Sequence, residues 1–234
     1  MDGNQYELLT LFADGGLMMY PLVLCSLVAV GVIIAKTYML YAAHRASRRL
    51  LSDTADLLKQ GKLAEATRLA DETPGPVAAI LSSGLRRLAE GGSTGEAIEK
   101  AVRTTGTIEL GFLERGLVVL ATVANVAPLM GFLGTVAGMI DAFGAIALAG
   151  QVEASLVAGG IKIALITTAT GLIIAIPVNI AYNYFVMKID ALIMDMEKGS
   201  AAVLNLAWDI EHGGGMRFAT AGGPGSAVQP GTAN

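Results

Sequence analysis

Few residues of this 234-residue chain could do chemistry, because 53% of its side chains are hydrophobic and only 15% are charged. Thr135 and Thr168 carry hydroxyls that donate and accept hydrogen bonds, so each can serve a carboxylate or a carboxylic acid. Asn125 and Asn179 add amides, while Asp141 and Lys162 add one charge of each sign. Such a set suits the passage of an ion better than the making of bonds. No serine or threonine has a histidine near it in sequence, and no glycine pattern forms a phosphate loop, so no catalytic residue and no enzyme activity are expected. One cysteine and two histidines allow no internal disulfide and no His/Cys metal set. A net charge of −4 leaves no basic footprint for nucleic acid.

The elements that must position these groups are three uncharged runs, residues 17–35, 116–140 and 163–187. Roughly 20 helical residues cross a hydrocarbon core of about 30 Å, so each run is long enough to span a membrane. Pro128 and Pro177 interrupt the second and third runs and should shape those helices; in a bundle, neighbouring helices can satisfy the carbonyls they free. Orientation follows from the cations. None precedes residue 36, twelve fall between Lys36 and Arg115, three follow the third run, and only Lys162 lies on the other side. The expected topology is N-terminus out and C-terminus in. The first run reads as an anchor, not a cleavable signal, because its acids precede it and its cations follow. Cys25 within it reads as apolar packing.

The second and third runs form a hairpin. Thr135 with Thr168, and Asp141 with Lys162, are equidistant from one midpoint near Gln151, and Asn125 with Asn179 nearly so. Two straight helices would then place the threonines at one depth and the charged pair about 9 Å further out, either snorkelling to headgroups or paired within or between subunits as an outer gate. On the third run, Thr168, Ala175 and Asn179 stay within about 20° of one face. For either threonine alone helix packing is the simpler reading; the alternative is an ion pathway of Thr135, Thr168 and, inward, Asn179. Gly131, Gly134 and Gly138 put small residues where helices can approach closely. None of the three runs contains a carboxylate, so an ion path here would need an acid from a partner.

The full expectation is an all-α membrane protein with three transmembrane helices and long cytoplasmic helical extensions. Residues 1–16 form a periplasmic segment, 17–43 the first span, 44–115 a cytoplasmic helical domain, 116–149 the second span, 150–161 a periplasmic turn, 162–187 the third span, 188–212 a cytoplasmic extension and 213–234 a disordered Gly/Pro-rich tail. In the cytoplasmic domain Gly61 marks a helix break and Thr73-Pro-Gly-Pro76 a turn. Ser93-Thr-Gly-Glu96 matches a capping box, from which a helix should run on into the second span. The doublets Arg48-Arg49 and Arg86-Arg87 read as solvated faces or lipid contacts.

Two segments resemble the ExbB/TolQ/MotA proton-channel family: Ala127-Pro-Leu-Met-Gly-Phe-Leu-Gly-Thr135-Val-Ala-Gly-Met-Ile-Asp-Ala-Phe143, and Gly160-Ile-Lys-Ile-Ala-Leu-Ile-Thr-Thr168-Ala-Thr-Gly-Leu-Ile-Ile-Ala-Ile-Pro177 with Tyr182-Asn-Tyr-Phe185 after it. Three spans and this length are more similar to ExbB or TolQ than to the four-span MotA. The resemblance implies a homopentamer in the bacterial inner membrane, enclosing two single-span ExbD- or TolR-like subunits whose aspartate carries the proton. A periplasmic transducer such as TonB or TolA would take up the motion. Thr135 and Thr168 match the family's two pore threonines. One position departs: the family commonly has a glutamate five residues before the second threonine, where this chain has Ile163 beside Lys162, so Asp141 or Glu153 would have to supply that charge.

From this resemblance the expected function is that of a stator subunit energising TonB-dependent transport, with H⁺ as the ion, Na⁺ as the alternative, and no cofactor. A TolQ-like envelope role, a gliding motor and a non-conducting membrane scaffold are the competing readings. An autonomous transporter fits poorly, because the spans show neither a titratable group nor an inverted repeat.

Overall fold

The computed structural model describes residues 10, 12–90, 94–150 and 154–211, and every described element is helical. After a 3₁₀ turn at Gly16–Met18 come α1 (Met19–Lys59), α2 (Leu63–Glu72), α3 (Pro76–Glu90), α4 (Gly95–Glu114), α5 (Leu117–Ala149) and α6 (Ala154–Glu211). Among the described residues, three helical stretches are long and apolar enough to cross a membrane, at Gly16–Lys59, Gly95–Ala149 and Val157–Ile210. Two compact units share these helices: residues 1–41 with 113–190, and residues 42–112 with 191–234.

The first unit packs the beginning of α1, all of α5 and α6 up to residue 190. On α5 the buried positions are Leu117, Leu120, Val123, Ala127, Gly131, Gly134, Gly138 and Ala142, a single stripe at spacings of three and four. Its centre is glycine, and there α6 comes closest. A Cβ on Gly138 would lie 2.6 Å from the Gly160 carbonyl oxygen, one on Gly171 2.6 Å from that of Ala127, and one on Gly131 2.9 Å from that of Thr167. Bulky side chains point away: Phe132, Leu133, Ile140, Leu172, Ile173 and Ile176 are exposed. This is packing for a lipid or protein surround, where association rests on close backbone approach. Pro128 and Pro177 both sit inside helices that continue past them.

In the second unit, α2 and α3 form an antiparallel pair. Leu63, Ala66 and Ala70 face Val77, Ile80, Leu81 and Leu85, and Val102, Leu192, Met196 and Val203 complete the core. Gly61, at φ +74°, makes the break between α1 and α2, and Pro76 occupies the first helical position of α3.

Three expectations need correction. The helix from residue 94 does not run unbroken into the second span: α4 stops at Glu114 and Gly116, at φ +87°, separates it from α5. The cap is Thr94, whose carbonyl and hydroxyl accept the Ala97 N–H at 2.9 and 3.4 Å, while Ser93 lies outside the described residues. Helix also claims most of the expected turn at 150–161. Gly150, at φ +68°, ends α5 with its N–H on the Ile146 carbonyl, and α6 has begun by Ala154. Small residues explain the early start, since Gly160 must be helical to nest against Gly138 and Ala142. The expected tail at 213–234 falls outside the described residues.

Candidate ion-path site

The hairpin register differs from the one inferred from polar pairs. Gly131 faces Thr167 and Thr168, Gly138 faces Gly160 and Ala164, and Gly171 faces Ala127 and Gly131. Thr168 is thus level with Gly131, about one turn inward of Thr135. Volume decides this. Glycines seek the smallest opposing surface, whereas the earlier inference paired residues by polarity.

The two threonine hydroxyls nevertheless both bond to α5 carbonyls. Thr135 Oγ1 donates to the Phe132 carbonyl at 2.5 Å, and Thr168 Oγ1 reaches across to the Gly131 carbonyl at 3.2 Å. Both protons thus rest on adjacent carbonyls of α5, and both residues are half-buried. In this state each oxygen keeps lone pairs for an incoming acid, and each proton can swing out to a carboxylate. Thr167, next in sequence, behaves differently. Its exposure is 0%, it donates to the Ile163 and Ala164 carbonyls at 3.0 Å, and it is pressed against Gly134. Asn179 is exposed, as is Asn125, whose amide donates to the Ala121 carbonyl at 2.9 Å. Ala175, between Thr168 and Asn179 on the shared face, is buried.

The expected pair of Asp141 and Lys162 is not formed within the chain. Lys162 Nζ lies 2.6 Å from a carboxylate oxygen of Asp14, while Asp141 is exposed on α5. Two facts account for this. In the observed register Asp141 is level with a point near Gly159, and Lys162 stands about 120° around α6 from Thr168, on a side reached by the segment before α1. That segment packs there: a Cβ on Gly15 would lie 3.3 Å from Ile166 Cγ2, and one on Gly16 4.0 Å from Ile163 Cγ2. The carboxylate beside Lys162 is therefore that of Asp14, and Glu153 lies outside the described residues.

Lys36 is a group that sequence reasoning missed. It is 5% exposed, and its ammonium donates to the Leu113 carbonyl at 2.6 Å. That carbonyl belongs to the last turn of α4, where carbonyls lack helical partners and the dipole favours a cation. Gly116 leaves room for it, since a Cβ there would lie 3.2 Å from Lys36 Cε. The first cation after an apolar run was the one available signal, but it reads equally as an interfacial anchor.

The first unit thus holds three helices apolar enough to cross a membrane, with two threonine hydroxyls turned to α5 carbonyls in runs free of Asp, Glu, Lys and Arg. The profile of the MotA/TolQ/ExbB proton channel family matches residues 72–198, and the chain belongs to that family. The ExbB biopolymer transport protein of Pseudomonas putida is 30% identical over 214 residues, covering 87% of this chain and 63% of that protein. The ExbB-like 3 biopolymer transport protein of Synechocystis sp. is 31% identical over 173 residues, covering 73% and 81%. The Tol-Pal system protein TolQ of Haemophilus influenzae is 45% identical over 87 residues, covering 37% and 38%. The chain spans a little under two thirds of the Pseudomonas relative's length.

Proposed function

We propose that this chain is the channel subunit of a proton-motive-force-driven motor in the bacterial inner membrane, working with an ExbD-like single-span partner to energise TonB-dependent outer-membrane transport. One observation carries the reading. Thr135 and Thr168 direct their hydroxyls to adjacent carbonyls on a half-buried surface, in runs without any Asp, Glu, Lys or Arg. Each hydroxyl proton is matched by a carbonyl within the chain, and the lone pairs that remain can accept from water or another chain. A guest helix carrying a carboxyl group matches both of its chemical states. Several copies, five in the reading favoured here, would enclose that guest with their N-termini outside. The proton is the carried ion, since hydroxyls serve a carboxyl group in both protonation states but form no complete cage for Na⁺.

Similarity to TolQ over 87 residues supports a second reading, the Tol-Pal type of envelope system with a TolR-like partner. Proton uptake by proteoliposomes holding this chain and its single-span partner tests the common core. Thr168→Val should cut uptake at least about tenfold while leaving the complex intact, because the isostere removes only the hydroxyl. Undiminished uptake in that variant refutes the pathway, and no uptake in the wild type favours a scaffold. Rescue of TonB-dependent uptake, rather than of envelope integrity, in strains lacking the respective subunit separates the two systems.

A further inference from the structure

The doublet Arg86-Arg87 divides its labour. Arg86 is committed: its Nη2 and Nε lie 2.9 and 3.3 Å from Asp71 Oδ2, and Ser82 holds the other carboxylate oxygen. Arg87 points elsewhere, into a cavity of about 480 Å³ between α3 and α4. Lys100 enters the same cavity from α4, and the hydroxyls of Ser83, Thr104 and Thr105 line it with Ala97 and Ala101. No carboxylate lines it, and neither cation makes an ion pair with a described residue. Thr105 Oγ1 donates to Ser83 Oγ at 3.1 Å, which ties the two walls together.

We infer that this cavity binds a phosphate-bearing anion. A guanidinium fork on one wall, an ammonium on the other and hydroxyls between them can donate to several oxygens of a tetrahedral group at once. A planar carboxylate, with two oxygens, cannot meet both walls as fully. Ala97 lies in the first turn of the 20-residue helix α4, whose positive end adds to the attraction. The groove is open and holds more than a bare phosphate, so it also admits larger phosphate-bearing groups. Glu90, Glu96 and Glu99 are exposed outside the lining and set a repulsion that Arg87 and Lys100 must outweigh.

The chemistry is shared by soluble phosphates and by lipid headgroups. The full chain, held in nanodiscs of phosphatidylcholine alone, is titrated calorimetrically with inorganic pyrophosphate. In parallel, nanodiscs containing short-chain phosphatidic acid are compared with neutral ones by native mass spectrometry. Binding in either arm that falls at least about tenfold in Arg87→Ala/Lys100→Ala, and far less in Arg86→Ala, supports the site and names its source. Both of these cations are exposed, so the double variant should keep the fold. No binding in either arm, or binding that the double variant leaves unchanged, overturns the inference.

Discussion

Gly138→Ala asks α5 and α6 to make room where they have none. The new Cβ would stand 2.6 Å from the Gly160 carbonyl oxygen, whereas ordinary contact starts near 3.4 Å. The obstacle is backbone, so the helices must part by about 0.8 Å rather than shift a side chain. Moved rigidly by that amount, the Thr168 hydroxyl would pass from 3.2 Å to about 4 Å from the Gly131 carbonyl, beyond hydrogen-bond range. Overpacking costs about 1–3 kcal/mol and the lost bond about 1 kcal/mol more, against a gain of about 1 kcal/mol from replacing a helical glycine. The net is a loss of about 1–3 kcal/mol. Gly31→Ala and Gly144→Ala supply the contrast, since a Cβ at either meets nothing within 4 Å and only the propensity gain remains. Unfolding in mixed detergent micelles, followed by pulse proteolysis, should therefore move in opposite directions for the two kinds of variant. Gly138→Ala proving as stable as Gly144→Ala would refute the reasoning.

Asp14→Lys and Lys162→Asp should each lower the thermal midpoint in detergent slightly, by at most about 1 kcal/mol for side chains that are 37% and 56% exposed, and the double exchange should restore it. Recovery through an Asp141–Lys162 exchange instead would reassign the partner. Lys36→Met should strip a charge-assisted bond of about 1.5–3 kcal/mol from the Leu113 carbonyl and speed hydrogen exchange across residues 114–120, whereas exchange rates equal to wild type would show that the clamp does nothing. The Arg86 guanidinium first, and then the Ser82 hydroxyl, hold the Asp71 carboxyl below its usual range. Its contribution is thus present above the unfolded value near pH 4 and lost as pH falls through the lower folded one. The stability gap between wild type and Asp71→Asn should close on acidification, and a gap constant from pH 7 to 3 would contradict this.

The spans were legible because hydrocarbon thickness translates directly into run length, and the hairpin because one short polar turn separates two apolar runs. Register was not. Polar residues at matching numbers suggested Thr135 opposite Thr168, but helices in contact settle by volume, and Gly131, Gly134 and Gly138 drew α6 into place against Thr167, Gly160 and Ala164. Lys162 showed its charge in the sequence but not its direction. A rotation of about 120° around α6 separates the mouth of a passage from the side where Asp14 waits. Lys36 and Leu113 lie 77 residues apart, and nothing in one dimension says that a cation ending one span will meet a carbonyl freed at the start of another. The break that frees it hangs on Gly116, which within an apolar run reads as one more small residue.

The glycine seam has a physiological corollary. With backbone pressed on backbone from Ala127 to Ala142, α5 and α6 leave no room between them for a file of water. If the chain conducts as proposed, the ion passes beside this seam and never through it.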